Sequence, residues 1–244
     1  MARWLLVVLL SGCAANVGAP NGLISVRGRV VDFERCASEA GCTPLEDMIV
    51  ALASDPERVV SAPTRLDGTY ILNGVPAGYR HDLIVRPRSG ASHAPTINPM
   101  AVQATAQGDQ FNVELYAVPR DPASLLEGLK GEGIDLVLGG GYLGQVVRTN
   151  GSMVMAAPDV QIVVSPPQQP LRFVSVLPRF VTGEPILRPA DADRTGPFGM
   201  FVVPARGPVD PFLVVPIDPA ITYAPVAAPL APGFVTCAIH YSVF

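Results

Sequence analysis

One order of short segments occurs twice along this chain, and an internal repeat of that kind decides architecture before any single segment is read. In the first copy Gly28-Arg29-Val30-Val31 is followed by the run from Pro44 to Leu52, then by Thr64-Arg65-Leu66-Asp67-Gly68-Thr69-Tyr70-Ile71-Leu72 and Val75-Pro76-Ala77-Gly78. In the second, Gly144-Gln145-Val146-Val147 precedes Ala157-Pro158-Asp159-Val160-Gln161-Ile162-Val163-Val164. Thr195 to Gly207 then answers Thr64 to Gly78, with Phe198 standing where the first copy has Asp67. A long proline-rich insertion, Pro166 to Asp193, loosens the second copy.

Each copy reads as short strands punctuated by turn residues. Residues 24–32, 48–53, 59–64, 69–72, 82–85 and 110–116 are the strands of the first, with Asp67-Gly68 as a two-residue hairpin signal. A loop around Pro95 and Pro99 precedes the last of them, and no helical periodicity interrupts residues 23–118. Phe212-Leu213-Val214-Val215 and Phe234 to Val243 close the second copy. Between the copies, Asp121-Pro122-Ala123-Ser124 opens a short capped helix with proline in its first turn, and Gly139-Gly140-Gly141-Tyr142-Leu143-Gly144 reads as a flexible join. Short strands with regular turns predict an all-β chain of two tandem Ig-like antiparallel β-sandwiches, at residues 23–118 and 134–244, joined by a short helical linker at 119–133.

The segments of the first copy resemble the carboxypeptidase regulatory-like family, through Val26 to Asp32, the Pro44-Leu45 lead, Thr64 to Leu72 and Val75-Pro76-Ala77-Gly78-Tyr79. That resemblance implies a seven-stranded, transthyretin-like (prealbumin-like) sandwich of the sort common in bacterial surface proteins. It implies the accessory fold and no peptidase chemistry.

The start of the chain carries a second resemblance. Arg3 and the amino terminus make a positive region, Trp4 to Leu10 a short apolar core, and Leu10-Ser11-Gly12-Cys13 closes it. This plan is that of a signal peptide, and the closing tetrad resembles the lipobox of bacterial lipoproteins. The resemblance implies cleavage of residues 1–12 and acylation of Cys13, with residues 13–22 as a tether; Ala14 in place of an aspartate implies the outer membrane. Two or more acyl chains, at roughly 0.8 kcal/mol per buried methylene, hold a protein to a bilayer firmly. Loss of Arg3 leaves 16 basic against 21 acidic residues, a net charge of −5. That balance offers no basic face to a polyanion, so nucleic acid is not a partner. The mean hydropathy is +0.34, yet no apolar run reaches the ~18 residues of a spanning helix.

Export to an oxidising compartment permits disulfides. Cys36 and Cys42, six positions apart in a polar loop, are read as one; a metal site is the sharper alternative, and no histidine lies nearby to complete it. Cys237 reads as a buried free thiol in a core strand. His81, His93 and His240 have no ligand-like spacing, and neither a zinc-peptidase motif nor a Gly-x-Ser-x-Gly elbow occurs. Tyr79-Arg80-His81 faintly resembles the iron site of intradiol dioxygenases, against a plainer reading of Tyr79 as a core aromatic beside a solvent-facing turn. Asp32, Glu34, Asp47 and Asp67 read as solvated loop acids, with calcium as the alternative. The expectation is therefore a non-enzymatic envelope lipoprotein with no catalytic residues, no metal and no cofactor, held to the membrane through lipid on Cys13. Its role is in surface structure or in contact with an envelope protein; a glycan- or peptidoglycan-binding module is the alternative, and a degenerate transthyretin-like or dioxygenase-like enzyme the third reading.

Overall fold

The computed structural model describes residues 22–38, 42–102, 108–150, 153–165, 172–178, 185–190, 194–205 and 212–243. Cys13 and the rest of the lipobox lie outside them.

The first half contains β1 (Leu23–Asp32), β2 (Met48–Leu52), β3 (Thr69–Pro76), β4 (His81–Pro87), β5 (His93–Ala94), β6 (Thr96–Val102) and β7 (Gln110–Pro119). They form two layers, β3-β1-β7-β5 over β2-β4-β6, which is the seven-stranded sandwich that the family resemblance implies. Alternation builds it: Ile24, Val26 and Val30 of β1 and Tyr70, Leu72 and Val75 of β3 are buried, while Arg27, Arg29 and Ile71 between them are exposed. The inward set meets Val50, Leu83, Val85 and Leu115 in a first core.

The second half contains β8 (Gly141–Asn150), β9 (Met153–Ala156), β10 (Gln161–Ser165), β11 (Arg172–Pro178), β12 (Pro185–Ala190), β13 (Met200–Pro204), β14 (Phe212–Ile217), β15 (Thr222–Tyr223), β16 (Val226–Ala228) and β17 (Val235–Val243). Its pairing reproduces the first half. β1 lies antiparallel to β3 and parallel to β7; β8 lies antiparallel to β13 and parallel to β17. β2-β4-β6 is matched by β10-β14-β16, and the proline-rich insertion supplies the added hairpin β11–β12. One parallel pair in each copy brings its first and last strands together within an otherwise antiparallel sandwich.

The repeat extends to single hydrogen bonds. Thr64 Oγ1 donates to Leu45 O (2.7 Å) and accepts from Met48 N (2.9 Å); Thr195 Oγ1 donates to Ala157 O (2.8 Å) and accepts from Val160 N (2.9 Å). Val30 N donates to Gly68 O, and Val146 N to Gly199 O, both at 2.9 Å. Gly68 and Gly199 have φ of +74° and +64°, and a Cβ there would meet the carbonyl oxygen of Val30 or Val146 at 2.6 or 2.3 Å. Glycine is required twice for the same reason.

The two halves share a sheet. β17 pairs with β8 on one side and, in parallel, with β6 on the other through Val235↔Thr96 and Thr236↔Ile97. The path β12-β11-β13-β8-β17-β6-β4-β2 is therefore continuous. One face of its second half covers β10-β14-β16 around Tyr142, Val164, Phe201 and Val214. The other face packs Leu143, Val202, Val235 and Cys237 against α1 (Phe33–Ser38), α2 (Leu125–Gly131), α3 (Leu136–Gly139) and Tyr116 and Val118 of β7.

Several expectations are corrected. Residues 59–64 are no strand and contribute a single bridge, Ala51↔Val60. β6 replaces the loop expected around Pro95 and Pro99, because Pro99 falls in a register break of the β4–β6 ladder, where a missing N–H is tolerated. α1 replaces part of a polar loop; Asp32 Oδ1 accepts from Arg35 N at 3.0 Å, capping a helix too short to show a period. The Gly139–Gly144 run is no flexible join: β8 begins at Gly141, and a Cβ at Gly144 would lie 2.2 Å from the Phe201 ring.

Replacing Thr64 or Thr195 by valine keeps the shape and leaves a buried N–H and carbonyl unpaired. Each variant is expected to lose about 2 kcal/mol in urea unfolding; loss confined to Thr64→Val would argue that the second copy is not built like the first.

Candidate functional site

The outer face of β3-β1-β7 is open above the first core and forms a groove of about 750 Å³. Alternation places Arg27 and Arg29 of β1 and Ile71 of β3 along it, a register shift in β7 around Asn112 (φ +59°) brings both Phe111 and Glu114 to the same side, and the turn after Thr64 adds Arg65 and Asp67. The Arg27 guanidinium sits 5.5 Å above the Phe111 ring, a cation–π contact, and 4.0 Å from Asp109. Phe111 and Ile71 are 61% and 48% exposed, far more than the sheet interior. Asp67 accepts from Thr69 Oγ1 (2.7 Å) and Thr69 N (3.1 Å); the Thr69 hydroxyl, then its N–H, hold this carboxyl below the usual range. The groove thus offers guanidinium donors, a π-face and an ionised carboxylate. This chemistry suits holding an extended or anionic partner.

The second copy puts the same face to a different use. Its equivalents of Arg27 and Ile71 are Leu143 and Val202, paired in the same register. Both are fully buried in the core against α2 and α3. Gln145, the equivalent of Arg29, is 4% exposed and donates to Phe198 O.

Sequence candidates fall in several places. Cys36 and Cys42 form a disulfide, with Cα atoms 4.2 Å apart, at the border between α1 and the groove. Cys237 is a buried free thiol facing the helices, and burial pushes its pKa up. Cys13 lies outside the described residues.

The four acids do not gather. Asp32 is 7% exposed rather than solvated, caps α1 and faces His93 Nε2 at 3.8 Å. Glu34 accepts from Leu125 N at 2.8 Å; burial lifts its pKa to about 8, against that N–H. Asp47 faces Arg88 at 3.6 Å, and Asp67 folds onto Thr69.

The three histidines are equally dispersed. His81 Nε2 contacts Pro76 O at 2.8 Å, His93 belongs to the junction, and His240 Nε2 meets Tyr142 Oη at 2.8 Å in the second core. Tyr79 is 53% exposed, not a core aromatic. His81 and His93 have separate partners, so the Tyr79-Arg80-His81 segment does not assemble an iron site with His93.

Desolvation lowers the His240 imidazole to about 4, whereas an unfolded histidine takes its proton near 6.5. The unfolded chain binds more protons between those values, so His240 costs nothing above about pH 6.5 and destabilises increasingly toward pH 4, by roughly 3 kcal/mol. Urea unfolding at pH 7 and pH 4.5 is expected to show a smaller acid loss in His240→Gln than in the parent; equal losses would contradict a buried neutral imidazole.

No family profile and no curated protein sequence matches the chain. Among solved structures it is similar to GBS52, the minor pilin of Streptococcus agalactiae, at 10% identity over 91% of this chain and 97% of that one, TM-score 0.26. The Bacillus anthracis TIE protein gives 9% identity over 91% of this chain and 34% of that one, TM-score 0.27. Shaft pilin SpaA of Lactobacillus rhamnosus GG gives 10% identity over 91% and 98%, TM-score 0.24. Likeness at these scores carries no argument, and the sandwich assignment rests on the strand pairing above.

Proposed function

We propose that this chain is a non-enzymatic, lipid-anchored protein of the bacterial envelope that acts in surface structure or protein interaction, docking an envelope partner in the groove on the outer face of β3-β1-β7. The observation that carries the docking role is the contrast between the two copies. At matched positions the second copy closes this face with Leu143 and Val202 beneath α1, α2 and α3, while the first keeps Arg27, Arg29 and Ile71 open to solvent. A sheet face that one copy covers from within the chain is, in the other, available to a partner from outside it.

The anchor rests on Leu10-Ser11-Gly12-Cys13. Acylation of Cys13 and cleavage before it would leave residues 13–22 as a tether below two units, 23–118 and 134–244, bridged by 119–133. Ala14 favours the outer membrane. No helix among the described residues is long and apolar enough to cross a bilayer, and a lipid on Cys13 supplies the attachment that such a helix would otherwise give. A glycan or peptidoglycan fragment is the second reading, favoured by the exposed Phe111 ring beside Arg27.

Crosslinking from intact envelopes tests both parts. Cys13→Ala is expected to leave the membrane fraction, and Arg29→Glu with Arg65→Glu to lose the crosslinked partner while remaining membrane-bound. Retention of the same partner by the double variant would remove the groove from the account, and binding of the parent to a glycan array would favour the second reading.

A further inference from the structure

Two cysteines and one carboxylate meet beside the groove from distant parts of the chain. Cys36 lies in the last turns of α1, Cys42 follows in the next loop, and Glu114 stands on β7, 72 residues beyond Cys42. Among the described residues this is the one group of three histidine, cysteine or acidic side chains whose ligand atoms all lie within 4.8 Å of one another. Cys42 and Glu114 are exposed and Cys36 half-buried, so both a reductant and an ion have access. Glu114 is also oriented: Tyr116 Oη donates to its Oε1 at 3.0 Å, and Tyr241 Oη lies 3.5 Å from Tyr116 Oη. Outer partners of this kind fix a ligand's direction and basicity.

We propose that Cys36, Cys42 and Glu114 form a redox-gated site for a soft divalent metal ion of the zinc type, closed by the Cys36–Cys42 disulfide and opened by its reduction. A dithiol or phosphine reductant supplies two electrons, which with two protons convert the S–S bond into two thiols. The metal displaces the two thiol protons and takes two thiolates and one carboxylate, leaving a fourth tetrahedral position for water. The spacing of Cys36 and Cys42 lacks a nearby histidine in sequence; the fold provides Glu114 in its place.

The full chain in detergent, reduced with a phosphine and titrated with Co²⁺ without oxygen, tests this. The expected result is one equivalent of Co²⁺ with thiolate-to-cobalt absorption in the near ultraviolet, displaced by Zn²⁺ and lost on reoxidation of the same sample. Glu114→Gln, which leaves both cysteines in place, and Tyr116→Phe are each expected to weaken binding by roughly tenfold or more. Zinc is also expected to raise the unfolding temperature of the reduced chain and leave that of the oxidised chain unchanged. Absence of the charge-transfer band in the reduced parent, or Glu114→Gln binding as tightly as the parent, would overturn the site.

Discussion

The parallel register of β17 between β8 and β6 is the constraint on which the rest of the structure depends. It turns two sandwiches into one body by making a layer of the first continuous with a layer of the second. Over Val235–Ala238 the strand is buried on both faces, so this stretch needs apolar or paired side chains rather than an alternating pattern. Val235 and Cys237 face the helices, Ala238 faces the second core, and the polar His240 is paired with Tyr142. α1, α2 and α3 then fill the wedge between the second half and β7, and the Glu34–Leu125 hydrogen bond ties α1 to the start of α2. Rotation of one sandwich against the other would break the β17–β6 ladder hydrogen bonds as well as packing.

Within that body the repeat explains where an interaction surface can exist. Both copies keep the threonine bridge, the positive-φ glycine and the parallel first-to-last strand pair, because these close a sandwich whatever its surface does. They diverge on the outer face of the β1 or β8 layer. Leu143 and Val202 are spent on the internal joint, and Arg27, Arg29, Ile71 and Phe111 are not. The groove is therefore the part of the repeat that the chain's own architecture leaves open. Its border carries the Cys36–Cys42 cross-link, next to the Glu114 carboxylate that Tyr116 holds in place.

Much of this was legible in sequence. Short strand-like runs at 24–32, 69–72 and 110–116 placed β1, β3 and β7, and the matched Gly-x-Val-Val and Thr-to-Gly segments placed the second sandwich. The cysteine pair was legible from its spacing and from the export that the lipobox resemblance implies. What escaped were elements whose cause is tertiary. β6 hides behind two prolines because a register break accommodates Pro99. α1 is six residues long and announces itself through Asp32 alone. The glycines at 140–144 look like a linker until the Phe201 ring and Leu136 are placed against them. The groove escaped because Phe111 and Arg27 are far apart in sequence and adjacent across the β1–β7 ladder, and the partner of the cysteine pair, Glu114, comes from the same strand.

Anchoring at Cys13 decides whether this double sandwich works in the envelope at all. Intact-mass and peptide mass spectrometry of the mature polypeptide tests it most directly. The account predicts an N-terminal peptide that begins at Cys13 and carries diacylglycerol on sulfur with a further acyl chain on nitrogen. An unmodified polypeptide recovered from the culture fluid, starting at any other residue, would contradict it.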